Sequence, residues 1–208
     1  IMFRSCLSVE RETTQPLPRS PTTLLAGTRT SLKKTSLMLN SFGELVVFVT
    51  SSVSVVPETS NSKVASSHEA GVASLLCELK AVDTGYPFFG ELELRPDRPL
   101  AELLAPDQVV VGPELLTRLG AEIGTTLKIG SADYRIVGVV DAEPDRLEVS
   151  FTLGPRVMLS LAGLERSGLL GPASRVKYRL LLSGTPDQVA QMRAWLSERL
   201  PQGSEIAD

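Results

Sequence analysis

Apolar positions along the chain fall mostly into short runs with a two-residue beat, cut by Gly and Pro, and a three- to four-residue beat persists only near the C-terminus. Leu75, Leu76, Leu79, Ala81 and Val82 form an apolar run in which Glu78 and Lys80 alternate. This predicts a strand with one wet face, ended by Asp83, Gly85 and Pro87. Residues 108–111 predict a short strand. Gly112-Pro113 then opens a short helix with Leu115, Leu116 and Leu119 on one side and Gly120 as its stop. Residues 124–129 and 134–140, joined through Gly130-Ser131, predict a hairpin. Beyond them come a strand over 157–159, a short helix over 161–166, a loop at 168–172 and a long strand over 175–182. The clearest helix spans 185–200. Thr185 and Gln188 fit a capping box, Val189, Met192, Leu196 and Leu200 form an apolar stripe, and Trp195 beside that stripe is expected to be largely buried. Residues 204–207 predict a final strand.

The N-terminal third is rich in Ser and Thr. It predicts a strand over 2–9, a break at Pro16, Pro18 and Pro21, a helix over 22–39, and a strand over 44–56. His68, the only histidine, sits among polar residues in a predicted loop over 60–71, without the orienting partner and nucleophile that a catalytic base needs. Arg95-Pro96-Asp97-Arg98-Pro99 reads as a stiff connector. Two terminal β-α-β pieces around a strand-rich centre predict an α+β fold. One lobe is expected from residues 1–94 and 174–208, with an inserted β-rich lobe over 95–173.

The chain has 208 residues with 42% hydrophobic and 22% charged content, values of an ordinary globular protein. A net charge of −3 without a basic stripe argues against nucleic acid as a partner. No run approaches the roughly 18–20 apolar residues that cross a bilayer, and no secretion signal stands at Ile1. No P-loop, G-x-G-x-x-G, G-x-S-x-G or metal-spaced Cys pair is present, so neither a catalytic residue nor a cofactor or metal site is assigned. Asp141, Glu143 and Asp145 form an acidic cluster. A calcium loop would need Gly and a carboxylate where Arg146 and Thr152 stand, so a solvated turn is expected.

Three segments carry a resemblance. In KAVDTGYPFFGELEL the residues Lys80, Ala81, Val82, Asp83, Gly85, Tyr86, Pro87, Gly90 and Leu92 match a "KAVD-x-GYP-x-x-G-x-L" pattern. A second pattern, of Gly and aliphatic residues, runs from Gly112 to Val139, and a third is nearly continuous from Leu153 to Leu182 in LGPRVMLSLAGLERSGLLGPASRVKYRLLL. Together they resemble the extracytoplasmic domain of MacB-like (FtsX-like) ABC transporter permeases, particularly the branch associated with lysophospholipase. The resemblance does not reach residues 1–70.

That resemblance implies a porter-like lobe built from both chain ends with a smaller inserted lobe, often called Sabre. It also implies a soluble piece of a larger membrane protein on the periplasmic face of the bacterial inner membrane. The implied function is non-enzymatic transmission of ATP-driven motion to a periplasmic protein or lipid-like substrate. Implied partners are a cytoplasmic ABC ATPase subunit, reached through transmembrane helices outside this sequence, and a second permease copy or homologue. A periplasmic location would permit Cys6 and Cys77 to pair, although isolated cysteines are more often buried small hydrophobes. The competing reading is a stand-alone envelope lipid-binding protein or hydrolase, which needs a deep apolar pocket with converging polar groups. Leu147, Val149, Phe151 and Leu153 alternate with polar residues and are the candidate partner-docking residues, on an arm of the inserted lobe.

Overall fold

The structure, a computed structural model, describes residues 5–13, 44–58, 74–87, 89–144, 154–170, 176–200 and 203–207. In chain order the elements are β1 (Ser5–Thr13), β2 (Glu44–Glu58), β3 (Leu75–Val82), β4 (Glu93–Arg95), α1 (Leu100–Leu103), β5 (Gln108–Val111) and α2 (Pro113–Leu119). They continue with β6 (Thr126–Ile129), β7 (Ala132–Ala142), β8 (Arg156–Ser160), α3 (Leu161–Arg166), β9 (Val176–Gly184), α4 (Pro186–Ser197) and β10 (Ser204–Ala207). This is the α+β class expected. The predicted helix over 22–39 and the loop carrying His68 lie outside the described residues.

Two compact units divide the chain, one of Ile1–Val49 with Leu170–Asp208 and the other of Thr50–Leu169. The first boundary expected from the sequence, 94/95, stands at 49/50 in this division, so that Thr50–Glu58 of β2, all of β3 and the start of β4 fall in the second unit, and the expected 173/174 stands at 169/170; β3 pairs with β8.

In the unit drawn from both chain ends, β1 pairs antiparallel with β9 on one side and with β10 on the other. Strands β9 and β10 therefore run parallel with β1 between them, and α4 is the crossover that such a pair requires. Tyr178, Leu180 and Leu182 recur every second residue of β9 and are buried, as is Val9 opposite Leu180. Helix α4 packs on β1 and β9 and buries Val189, Met192 and Leu196. Its capping box is present: the Thr185 side chain accepts from the Gln188 backbone N–H, and the Gln188 side chain accepts from the Thr185 N–H. Trp195 departs from expectation. It is only half-buried, on the flank of the stripe, with the Arg199 guanidinium 5.3 Å from its ring centre. At about 100° per residue, position 195 is turned away from the mean direction of 189, 192 and 196.

In the other unit, β3 pairs parallel with β8, β8 antiparallel with β5, and β5 parallel with β7. Strand β6 pairs antiparallel with both β7 and the Val55–Glu58 end of β2, while β4 pairs with the far end of β7. The core is formed by Leu79 and Ala81 of β3, Val109, Val110 and Val111 of β5, Ile136 of β7, and Val157, Met158 and Leu159 of β8, all but inaccessible to solvent. Strand β5 reads as a continuous apolar run because neighbours pair with it on both edges and both its faces are covered. The β6–β7 turn is tied to α3: the Ser131 N–H donates to the Ser167 carbonyl at 2.8 Å, and the Tyr134 hydroxyl donates to the Gly163 carbonyl at 2.7 Å.

Candidate functional site

Strand β3 holds the main departure from the sequence reading. Residues 77 to 82 are all buried, including Glu78 at 9% exposure and Lys80 at 2%. The alternation is real, since Cys77, Leu79 and Ala81 face one way and Glu78 and Lys80 the other. The charged face, however, is not wet.

Charges withdrawn from water are tolerated when paired, and these are. Lys80 Nζ donates to the Tyr86 hydroxyl at 2.7 Å and to the Glu143 carboxylate, and the Tyr86 hydroxyl donates to Glu143 Oε1 at 2.9 Å. Arg156 Nε lies 2.9 Å from Glu143 Oε2, and Arg156 Nη1 lies 2.8 Å from Glu78 Oε1. These two contacts are ion pairs by distance, without the alignment of a hydrogen bond. Side-chain exposure is 3% for Lys80, 2% for Glu143 and 5% for Arg156. Two cations meet two anions, so the cluster is neutral as a whole. The Lys80 ammonium also lies 4.2 Å from the Tyr86 ring centre.

The local sequence explains how these groups converge. Glu78 and Arg156 are register partners in the parallel β3–β8 pair, and Lys80 follows two residues on along the same face. Asp83 closes a turn by accepting the Tyr86 N–H at its carbonyl, 3.1 Å, and the Thr84 N–H at its side chain, 2.7 Å, which brings the phenol back over the strand. Glu143 follows the end of β7. The acidic cluster is thus split, correcting the expectation of a solvated turn. Glu143 turns inward, while Asp141 stays at the surface with Arg95 bonded to both carboxylate oxygens at 2.5 and 2.6 Å, which holds its carboxyl below the usual range. Asp145 lies outside the described residues.

Two glycines permit close approaches beside the cluster. Gly90, with φ of 71°, abuts Pro144, and a Cβ there would stand 2.5 Å from the proline Cβ. Gly154, with φ of 88°, abuts the Leu76 carbonyl, and a Cβ there would stand 2.4 Å from its oxygen. Only glycine accepts both the backbone angle and the approach. Phe89 and Leu76, next to these contacts, are half or more exposed.

The docking residues expected from the sequence, Leu147, Val149, Phe151 and Leu153, lie outside the described residues, whereas both ends of the connection that carries them are described. Cys77 is a free, buried thiol. Burial pushes it up to about 11, with Arg118 pulling weakly the other way. Among the described residues no group of three His, Cys, Asp or Glu is placed to hold a metal, and no helix is long and apolar enough to cross a membrane. A cleft lined by Val82, Asp83, Leu100, Leu104 and Ser160 encloses about 30 Å³. That is about one water, against the several hundred Å³ of a small-molecule site.

Residues 12–198 match the MacB-like periplasmic core domain family. The chain belongs to this family. It is 36% identical over 135 residues to YbbP of Escherichia coli K12, described as an uncharacterized ABC transporter permease. That match covers 64% of this chain and only 16% of the permease. Among solved structures, the periplasmic region of MacB from Actinobacillus actinomycetemcomitans aligns with a TM-score of 0.55 at 13% identity, covering 98% of this chain and 88% of that one. A domain of a permease protein from Porphyromonas gingivalis aligns with a TM-score of 0.50 at 10% identity, covering 97% and 86%. At these identities the structural likeness speaks for the α+β fold alone. Of the motif residues that carried the resemblance, Lys80, Tyr86 and Arg156 meet in the buried cluster and Gly90 and Gly154 flank it. Glu143, which joins them, went unrecognised because it sits in an acidic stretch that looks solvated.

Proposed function

We propose that this chain is the extracytoplasmic domain of an ABC transporter permease, on the periplasmic side of a bacterial inner membrane, and that it transmits ATP-driven motion without catalysing a reaction. Membership of the MacB-like periplasmic core domain family over residues 12–198 carries this reading. The similarity to a permease of which this chain spans about one sixth supports it. In this role the parent protein supplies the transmembrane helices, a cytoplasmic ATPase subunit supplies the energy, and a second permease copy or homologue completes the assembly. A periplasmic protein or lipid-like substrate receives the motion, docking at Leu147, Val149, Phe151 and Leu153. The alternation of these residues with polar ones offers an apolar edge with Phe151 as its anchor.

The test is Phe151→Ser in the intact permease. The expected result is loss of transport with the melting temperature of the domain unchanged. Loss of folding would make the segment core instead, and full transport would remove it as the docking element. Purified alone, the domain is expected to show no esterase, phosphatase or ATPase turnover. Turnover that follows the protein through purification and vanishes on mutating one Ser, Asp or His would overturn the non-enzymatic reading.

A further inference from the structure

The buried cluster and the two glycine contacts share one location, the two ends of the connection that leaves β7 and returns at β8. At the outgoing end, Glu143 is held by Lys80, Tyr86 and Arg156, and Pro144 rests on Gly90. At the returning end, Gly154 rests on the Leu76 carbonyl, and the Pro155 carbonyl accepts the Glu78 N–H at 2.9 Å. Arg156 is paired to Glu78, and its carbonyl accepts the Gly112 N–H at 2.9 Å. Through its guanidinium Arg156 also reaches Glu143, so a single side chain joins both ends.

We infer that this ionic cluster is a positioning frame, which fixes the two ends of the 144–154 connection against β3 and against each other, rather than a source of net stability. A buried ion pair recovers little more than the cost of drying its charges, and well-packed apolar replacements of similar volume are often as stable or more so. What apolar side chains do not supply is a specific partner: they pack against any neighbour of similar shape, whereas the Arg156 guanidinium, withdrawn from water, lies against the carboxylates of Glu78 and Glu143. The consequence deepens the proposed function and rests on it: the two ends, Glu143–Pro144 and Gly154–Arg156, are displaced as one body with the sheet that carries them.

Native-state hydrogen exchange on the whole chain tests it, so that the result does not depend on the transport reading. An apolar variant carries Glu78→Leu, Lys80→Met, Tyr86→Phe, Glu143→Leu and Arg156→Met. It is expected to melt within a few degrees of the parent, or above it. Its amides at 140–143 and at 154, 156 and 157 are expected to exchange at least tenfold faster, with those of α4 and β9 unchanged. Parent-like exchange at both ends overturns the inference. So does a loss of protection spread evenly over the chain together with a lowered melting point, since that is what a merely stabilising cluster would give. If the fivefold variant does not fold, Glu143→Gln removes the bridging charge at nearly constant shape, and the same amides decide: local tenfold loosening supports the frame, and unchanged or uniform exchange refutes it.

Discussion

Lys80 is the residue at which the energetics are sharpest. Its ammonium is withdrawn from water among Tyr86 and Glu143, so removing it leaves the buried Glu143 carboxylate with the Tyr86 hydroxyl and a single cation, Arg156. Lys80→Ala is expected to cost about 3–5 kcal/mol, read as a lowered denaturation midpoint, and an unchanged midpoint would contradict the burial. Arg95→Ala is the contrast. Its partner Asp141 stands at the surface, so the midpoint should barely move at neutral pH. The folded-state carboxyl of Asp141 is lowered, so whatever the pair contributes is present above the ordinary carboxylate range and fades as pH falls through the folded value. Cys77 has the opposite sign: its thiol rises from 9.0 to about 11, so its contribution is complete below pH 9 and is lost as pH climbs through that window. At pH 7.5 the native chain should leave Cys77 unalkylated by iodoacetamide, with reaction only after unfolding; rapid native-state labelling at the Cys77 peptide would contradict this. The sequence shows Glu78 and Lys80 as an alternation but not what covers them. Their partners lie far along the chain, Glu143 being 63 residues from Lys80, and nothing local distinguishes a paired buried charge from a solvated one.

Elements with their own start and stop signals were legible. Strand β5, helix α2 and helix α3 stand where Gly, Pro and the leucine spacing put them, because those signals act within a turn or two. Helix α4 shows both the strength and the limit of such reading. Its capping box formed as spaced, and Thr185→Ala is expected to cost about 1 kcal/mol. Met192, fully covered, should cost about 2–5 kcal/mol as Ala, with Trp195→Ala costing less because the indole is half open under Arg199. Denaturant midpoints of the three variants check that order, and a Trp195 variant weaker than the Met192 one would reverse it. The stripe was read correctly, but the angle of one residue beside it was not, since adjacent positions lie far apart around a helix. Strand β4 and helix α1 were missed. Three and four residues long, they are too short for any periodicity to register.

For the whole molecule, the α+β class was expected from strand runs at the centre and helix-bearing pieces at both ends, of which the C-terminal piece is seen and the helix over 22–39 lies outside the described residues; the family was expected from motifs of which Lys80, Tyr86 and Arg156 meet in one cluster. Among those motif positions, Gly90 and Gly154 stand at close approaches and Lys80 and Arg156 in ion pairs. The division into units was harder to read, because a parallel partner such as β8 for β3 is set by packing rather than by any nearby turn. On the proposed function this domain moves when a cytoplasmic ATPase turns over, and hydrogen exchange in the membrane-embedded permease tests that most directly. With the complex in nanodiscs and hydrolysis verified, exchange of residues 74–144 and 154–170 is followed with and without ATP. The account predicts a nucleotide-dependent change in protection within this domain, and exchange identical in the two states would contradict it.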